Sequence, residues 1–453
     1  IPANTLASGG FAVDNSCRFN DGSSDYLTRT PSSSGNRDKY TLSFWFKRSG
    51  IGTVQKFFNA KVDGSNFTEF GFESSDVMQI YNYNSGSVRM LRETNRVFRD
   101  VSAWYHLVLK YDSSQSTASD RFKIYINGVE ETSFSSSTEP ALNEDSNLNV
   151  SSAVNTLGRS QGDTYYFDGY MAEVVLLDGT ALAADSFGEF DEDSGIFKPI
   201  DVSGLTFGTN GFYLDFENSS ALGNDVSGNN NDFTANNLTA IDQSTDTCTN
   251  NFATLNPIQA ALSSATFSEG NLKSVTAGTA GENFGGGSSI GVASGKWYFE
   301  AKATVGSGSA DRNVIGVTGE LSNIAYNKSY TGTSSTVQYQ SYNGKVLKNN
   351  SDVYTGSTYA TGNIIQIALD IDNLHVYFGK DGTWQNSGNP ESGATGTGAV
   401  DLVALTSTTD GFYFIYHGDN SGASGPVSTF EFNFGSPPYA ISSGNTDGNG
   451  YGN

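Results

Sequence analysis

A period-two alternation of apolar and polar residues, closed repeatedly by tight-turn dipeptides, restricts the fold of this chain more than any other feature. Leu42, Phe44 and Phe46 fall on one side of an extended segment, with Ser43, Trp45 and Lys47 on the other. Phe122, Ile124 and Ile126 alternate in the same way with Arg121, Lys123 and Tyr125. The pattern returns at Ile365, Ile367, Leu369 and Ile371, at Leu374, Val376 and Phe378, and at Phe430, Phe432 and Phe434. Successive side chains of a strand point to opposite faces, so these segments predict half-buried antiparallel strands, one face on a core and the other in solvent. Asn127-Gly128, Asn343-Gly344 and Asp381-Gly382 stand where two-residue hairpins need positive φ. No stretch keeps apolar residues at helical spacing through several turns. The expectation is an all-β chain of sandwich or jelly-roll type.

Composition divides the chain. Its 453 residues suffice for two or three full-sized cores. Residues 1–15 read as an N-terminal arm, 16–200 as a first strand-rich sandwich, and 201–261 as an Asn-, Asp-, Ser- and Thr-rich connector partly packed on it. A second sandwich is expected over 262–440, and residues 441–453 form a Gly/Asn-rich tail expected to be flexible. The chain begins at Ile1, which reads as processing or as a start inside a longer gene product. A formal net charge of −23 repels nucleic acid and anionic membranes, which argues against phosphate recognition. No apolar run approaches the length of a membrane-spanning helix, so no membrane insertion is expected.

Four residue groups are candidates for chemistry. Glu189, Asp191 and Asp193 lie two apart, a spacing that puts carboxylates on one strand face as in some glycosidases; an exposed acidic loop fits the flanking residues better. His106, His375 and His417 sit inside strand patterns without a neighbouring nucleophile motif. Asp225, Ser227, Asn229, Asn231 and Asp232 around Gly228 supply oxygens that a calcium ion could use, against the plainer reading of Asx-turns holding the loop. For sugar contact the candidates are loop aromatics with amides beside them: Tyr165 and Tyr166, or Trp384 with Gln385, Asn386 and Asn389. Trp384 packed beneath its own hairpin is the alternative. Cys17 and Cys248 are the only cysteines, too few for a metal cluster or a disulfide scaffold, leaving one long-range bridge or two unpaired thiols.

Several phrases carry a family resemblance. Tyr40–Phe46, Trp104–Leu109, Lys123–Val129, Leu157-Gly158-Arg159 and Phe167–Val174 resemble, in order, strands of the laminin-G/concanavalin A-like superfamily. Ser294–Glu300, Ile315–Val317, Gly362–Asp370 and Val376–Trp384 resemble a SPRY domain, another concanavalin-like sandwich. The resemblance implies two tandem concanavalin A-like jelly rolls. Tyr26–Pro31, Phe187–Asp193, Gly211–Phe216 and Asp225–Asp232 are similar to phrases of structural proteins of marine phages, cyanophages especially.

That second resemblance implies a non-enzymatic virion protein on the particle surface. It would be a tail-fibre or spike adhesin binding a host-surface polysaccharide or receptor, or a decoration protein contacting other virion proteins, with a glycan-degrading enzyme as the remote third reading. A homo-oligomer, a trimer by preference, is expected for a fibre component. Cys17 and Cys248 stand where such relatives are expected to have Leu and Pro, which favours the Cys17–Cys248 bridge more than spacing alone does.

Overall fold

The computed structural model describes residues 10–160, 162, 164–260, 265–276, 281–304, 313–327, 335–421 and 428–441. Residues 1–9 of the expected arm and 442–453 of the expected tail lie outside them. The chain divides into two compact units, residues 1–252 and 253–453, and every strand pairing in the main sheets of both is antiparallel.

The first unit is built on two eight-stranded sheets. One runs in the order Val129–Glu130, Phe122–Ile126, Trp104–Asp112, Lys39–Arg48, Gly169–Asp178, Ser16–Phe19, Gln243–Ser244, with Phe212–Leu214 also on Gly169–Asp178. The other runs Phe134–Thr138, Ser87–Val97, Val77–Asn84, Asn66–Phe72, Gln55–Asp63, Val154–Leu157, Tyr26–Arg29, Thr234–Asn236. Between them lies an aromatic core. Leu42, Phe44 and Phe46 of the first sheet meet Phe57, Phe70, Phe72, Met78 and Ile80 of the second. Phe44–Phe57 centroids are 5.0 Å apart and Phe46–Phe72 5.6 Å, tilted contacts of the kind aromatic quadrupoles favour.

Alternation placed Ser43, Trp45 and Lys47 in solvent, and the structure buries all three, Lys47 completely. A third layer explains the difference. Phe187, Phe197, Val202, Phe207 and Tyr213 pack with Trp45, Val108 and Val175 on the outer face of that sheet. Phe11 and Val13, from the segment read as an arm, join them. The Lys47 ammonium is satisfied there by Asp246 Oδ2, Asn251 Oδ1 and the Phe252 carbonyl, each at 2.8 Å. Most of the expected connector therefore belongs to the first unit: its strands Phe212–Leu214, Thr234–Asn236 and Gln243–Ser244 extend both sheets.

The second unit repeats the architecture. One sheet orders Ala265–Ser268, Lys273–Thr276, Thr429–Asn433, Lys296–Thr304, Ile364–Asp370, His375–Lys380 and Thr383–Trp384, with Val400–Asp401 beside His375–Lys380. The other orders Gly281–Gly287, Phe414–Ser421, Asn313–Thr318, Thr336–Gln340, Lys345–Lys348 and Ser351–Thr355. Phe299, Ile365, Ile367, Val376, Phe378, Phe430 and Phe432 from the first sheet meet Ile315, Val317, Val337 and Tyr339 from the second. Among the described residues no helix is long and apolar enough to cross a membrane.

Each unit buries a neutral histidine, His106 under the outer layer of the first and His417 against Phe430 and Phe432 in the second. Burial pushes His106 and His417 down to about 3. Since the native state favours the uncharged ring, stability should hold above the unfolded value near 6.5 and fall as pH drops from there toward 3. Each histidine contributes a slope of about 1.4 kcal/mol per pH unit in that window. Urea unfolding from pH 7 to 4 is expected to show this loss, and His417→Leu to reduce its slope; an unchanged slope in that variant would refute the assignment.

Candidate functional site

The outward face of the second sheet of the first unit collects polar and aromatic side chains in cross-strand rows. Thr28, Thr156, Asn59, Glu69 and Tyr81 stand directly opposite one another on five adjacent strands. A second row runs Lys56, Gly71, Gln79, Glu93. Their chain neighbours Phe58, Phe70 and Ile80 point into the core, so this arrangement is the polar half of the same alternation. Glu69 is its hub, only 5% exposed. Its carboxylate accepts from Asn59 Nδ2 at 2.9 Å, Tyr81 OH at 2.9 Å and Ser160 Oγ at 2.5 Å, with Lys56 Nζ at 3.8 Å. Burial and the Glu69 charge push the Tyr81 phenol up, so it stays a proton donor. Lys56 Nζ also pairs with Glu73 Oε1 at 2.7 Å.

At one end of this row a cation is laid between two tyrosines. The Arg159 guanidinium sits 3.6 Å from the Tyr26 ring centroid and 5.8 Å from that of Tyr166, and donates to Tyr166 OH at 3.2 Å. Stacking of this sort fixes ring orientation without saturating the outer ring face. Gly158 makes the turn that delivers Arg159: φ is +92°, and a Cβ there would lie 2.7 Å from Phe19 Cδ1. Tyr165, 52% exposed with φ of +57°, stands beside Tyr166, and its carbonyl accepts from Lys56 N at 2.8 Å. The result is a partly exposed tyrosine cluster beside a largely buried row of hydrogen-bonded groups.

The other nominated residues are placed elsewhere. Trp384 lies over Gly379, whose Cβ position is 3.2 Å from Trp384 Cε3. Gln385 is buried, its Oε1 accepting from Ser357 N at 2.8 Å and its Nε2 donating to the Thr383 carbonyl at 2.9 Å, so its amide serves the loop. Asn389 Oδ1 caps the following turn through Glu391 N at 3.0 Å, and Asn386 Nδ2 donates to the Gly398 carbonyl. The Asp225 carboxylate accepts from Tyr213 N, Ser227 N, Ser227 Oγ and Asn231 N, and Asp232 accepts from Asp225 N. Asn229 and Asn231 turn their amide NH2 groups to the Gly208, Thr209 and Gly211 carbonyls. These amide and hydroxyl donors on the carboxylates are the bonds expected of Asx-turns holding the loop.

Cys17 and Cys248 are unpaired in the structure. Cys17 belongs to the core between the sheets and Cys248 packs in the outer layer, so the sheet separates the two sulfurs and the expected bridge is not formed. Glu189 and Asp191 flank Lys198 at 3.4 Å each, and Asp191 caps Ser194 in an exposed loop. No facing carboxylate pair across a cleft arises there.

One arrangement has the outline of a nucleophile and base. Ser43 Oγ lies 2.9 Å from His106 Nε2, in a small cleft also lined by Glu173, Phe187 and Val202. It lacks the remaining parts. Glu173 bonds Tyr213 OH at 2.5 Å, and among the described residues His106 Nδ1 has no hydrogen-bond partner. Ser43 and His106 are both buried, and burial lowers the His106 proton affinity to about 3, which makes its ring a weak proton acceptor. His375 faces Asp401 Oδ1 at 3.4 Å at the edge of the second unit.

Sequence reading reached Tyr165 and Tyr166 but missed Asn59, Glu69, Tyr81 and the partnership of Tyr26 with Arg159. The signal was present in Phe67, Glu69 and Gly71 and in Gln79, Tyr81 and Tyr83, outward positions two apart. Their convergence depends on cross-strand register, which these short segments do not specify alone.

Residues 21–185 match the laminin G-type family described as the concanavalin A-like lectin/glucanases superfamily. No curated protein matches the chain. Among solved structures, mouse laminin alpha1 chain domains LG4-5 are 10% identical, with 93% of this chain and 89% of that chain covered and a TM-score of 0.30. The SPRY domain of human HERC1 is 18% identical over 36% of this chain and 87% of that chain, TM-score 0.25. Domain 4 of AbnA, a GH43 extracellular arabinanase from Geobacillus stearothermophilus, in complex with arabinotriose, is 21% identical over 35% and 68%, TM-score 0.26. The chain is an all-β protein, and its residues 21–185 are similar to the concanavalin A-like, laminin G-type family.

Proposed function

We propose that this protein is a non-enzymatic adhesin whose first unit holds a surface glycan on the face formed by Tyr165, Tyr166, Arg159 and the Glu69 row. One observation carries the reading: a partly exposed tyrosine cluster in which a guanidinium stacks on Tyr26 and bonds Tyr166, beside a hub of groups hydrogen-bonded to Glu69. Aromatic faces pack against sugar C–H surfaces while fixed polar groups meet hydroxyls, and prior ordering lowers the entropic cost of binding. Each contact of this kind is weak, so repeated copies supply the working avidity. The setting we assign is a phage particle surface, as a tail-fibre or spike component, on the resemblance of Tyr26–Pro31, Phe187–Asp193 and Gly211–Phe216 to marine phage structural proteins. Retention of the purified chain on host envelope polysaccharide tests this directly. Tyr166→Ala should lower retention at least tenfold and Glu69→Gln about three- to fivefold through loosened positioning. Wild-type retention by both variants, or release of reducing sugar by the wild type, would defeat the proposal. Cryo-microscopy of the particle tests the setting: copies at the tail fit it, and copies covering the shell would instead favour a decoration protein.

A further inference from the structure

We propose that the second unit carries a separate site for a neutral pyranose on the outward face of its Lys296–Thr304, Ile364–Asp370 and His375–Lys380 strands. Two cross-strand rows build it: Tyr298, Ala368, Tyr377, and Glu300, Gln366, Gly379, Trp384. Trp384 rests on the bare backbone of Gly379, where an added Cβ would meet Trp384 Cε3 at 3.2 Å and Gln366 Oε1 at 2.9 Å. The Tyr298 ring, 47% exposed, stands at 74° to Trp384 with centroids 6.4 Å apart. The two rings meet edge to face at a corner, with the small Ala368 next to Tyr298 in its row.

The polar groups at this corner are fixed. Tyr298 OH donates to Glu300 Oε1 at 2.5 Å and accepts from Gln366 Nε2 at 3.0 Å, while Gln366 Oε1 accepts from Gly382 N at 2.7 Å. Charge selects the occupant. The neighbouring lysines are paired outside the corner, Lys302 with Glu431 at 3.5 Å and Lys296 with Asp370 at 3.6 Å. The charge at the corner itself is the Glu300 carboxylate, an acceptor for sugar hydroxyls that repels uronates, sulfates and phosphates. A pyranose stacked on one ring and flanked by the other fits this set, with Glu300 and Gln366 at its hydroxyl edge. The amide partners are thus strand residues rather than Gln385, Asn386 and Asn389.

Titration calorimetry on the full chain with maltohexaose, cellohexaose and a polygalacturonate hexamer tests the site. At least one neutral hexaose should bind, change tryptophan fluorescence, and exceed the uronate in affinity at least tenfold. Trp384→Ala should remove one class of sites, and Tyr298→Phe, which keeps the ring, should weaken that class about three- to fivefold. Tyr166→Ala should leave this class intact, so failure here is separable from failure of the first-unit site. Tighter binding of the uronate, an unaltered isotherm in folded Trp384→Ala, or no binding of either neutral hexaose would overturn the proposal.

Discussion

Asp76→Ala is expected to destabilise the first unit by about 3–5 kcal/mol, the usual cost of leaving a buried charge unpaired. Arg48, on the central Lys39–Arg48 strand, is 1% exposed and Asp76 likewise 1%. Arg48 Nη1 donates to Asp76 Oδ1 at 3.0 Å and to the Phe98 carbonyl at 2.7 Å, while its guanidinium lies 4.1 Å from the Phe72 centroid. Asp76 further accepts from Gly52 N at 2.7 Å and Arg99 Nε at 2.8 Å. Burial alone would raise its pKa, but the Gly52 amide and the two guanidinium groups outweigh it and hold the carboxyl below its usual value. The substitution strands Arg48 inside the sandwich and loosens three loops together. For a unit of this size, calorimetry should show Tm lower by about 10 °C. Asp76→Asn tolerates the +65° φ and keeps one acceptor oxygen for Arg48 and Gly52, while removing the charge and the acceptor for Arg99. A loss below about 1 kcal/mol in both variants would mean the pair is not the fastener described.

Glu173→Gln should act in the opposite direction and only at higher pH. Glu173 occupies a bulge between Ala172 and Val175, at φ of +53° and 8% exposed. Burial raises its pKa to about 8, and Asp215, Glu217 and Asp201 add to the effect against the lowering hydrogen bond from Tyr213. A folded value above the unfolded one near 4.5 means that stability is complete below pH 4.5 and is lost between 4.5 and 8. The slope is about 1.4 kcal/mol per pH unit, so the total loss is a few kcal/mol. Glutamine keeps an acceptor for Tyr213 and removes the titration. Wild type and variant should therefore match near pH 4.5, with the variant more stable by a few kcal/mol at pH 8.5. Between 4.5 and 6.5 this loss opposes the gain from His106 and His417, so wild-type stability should peak close to pH 6–7. Parallel stability curves for the two proteins would contradict the buried, protonated carboxyl.

The all-β class was legible because alternation and turn dipeptides report one physical constraint from two sides. Leu42, Phe44 and Phe46 entered the core as their spacing required. Lys47 shows where such reading fails. Its burial depends on Asp246, Asn251 and Phe252, about 200 residues away in sequence, and nothing local announces that the outer face will be covered. The same holds for Glu69, whose partners come from three other segments. The Asp225 loop was ambiguous because calcium ligands and Asx-turn acceptors are the same residues. Its partners in the fold are amide donors. The cysteines were undecidable for a related reason: residues 231 positions apart in sequence cannot reveal that a sheet separates them.

A crystal structure of the chain soaked with the host-surface oligosaccharide it retains would bear most directly on the glycan assignment. On this account an uncleaved sugar ring lies against Tyr166 beside Arg159, its hydroxyls over the Asn59, Glu69 and Tyr81 row. Sugar seated on another surface of the first unit, or density for a hydrolysed product, would contradict it.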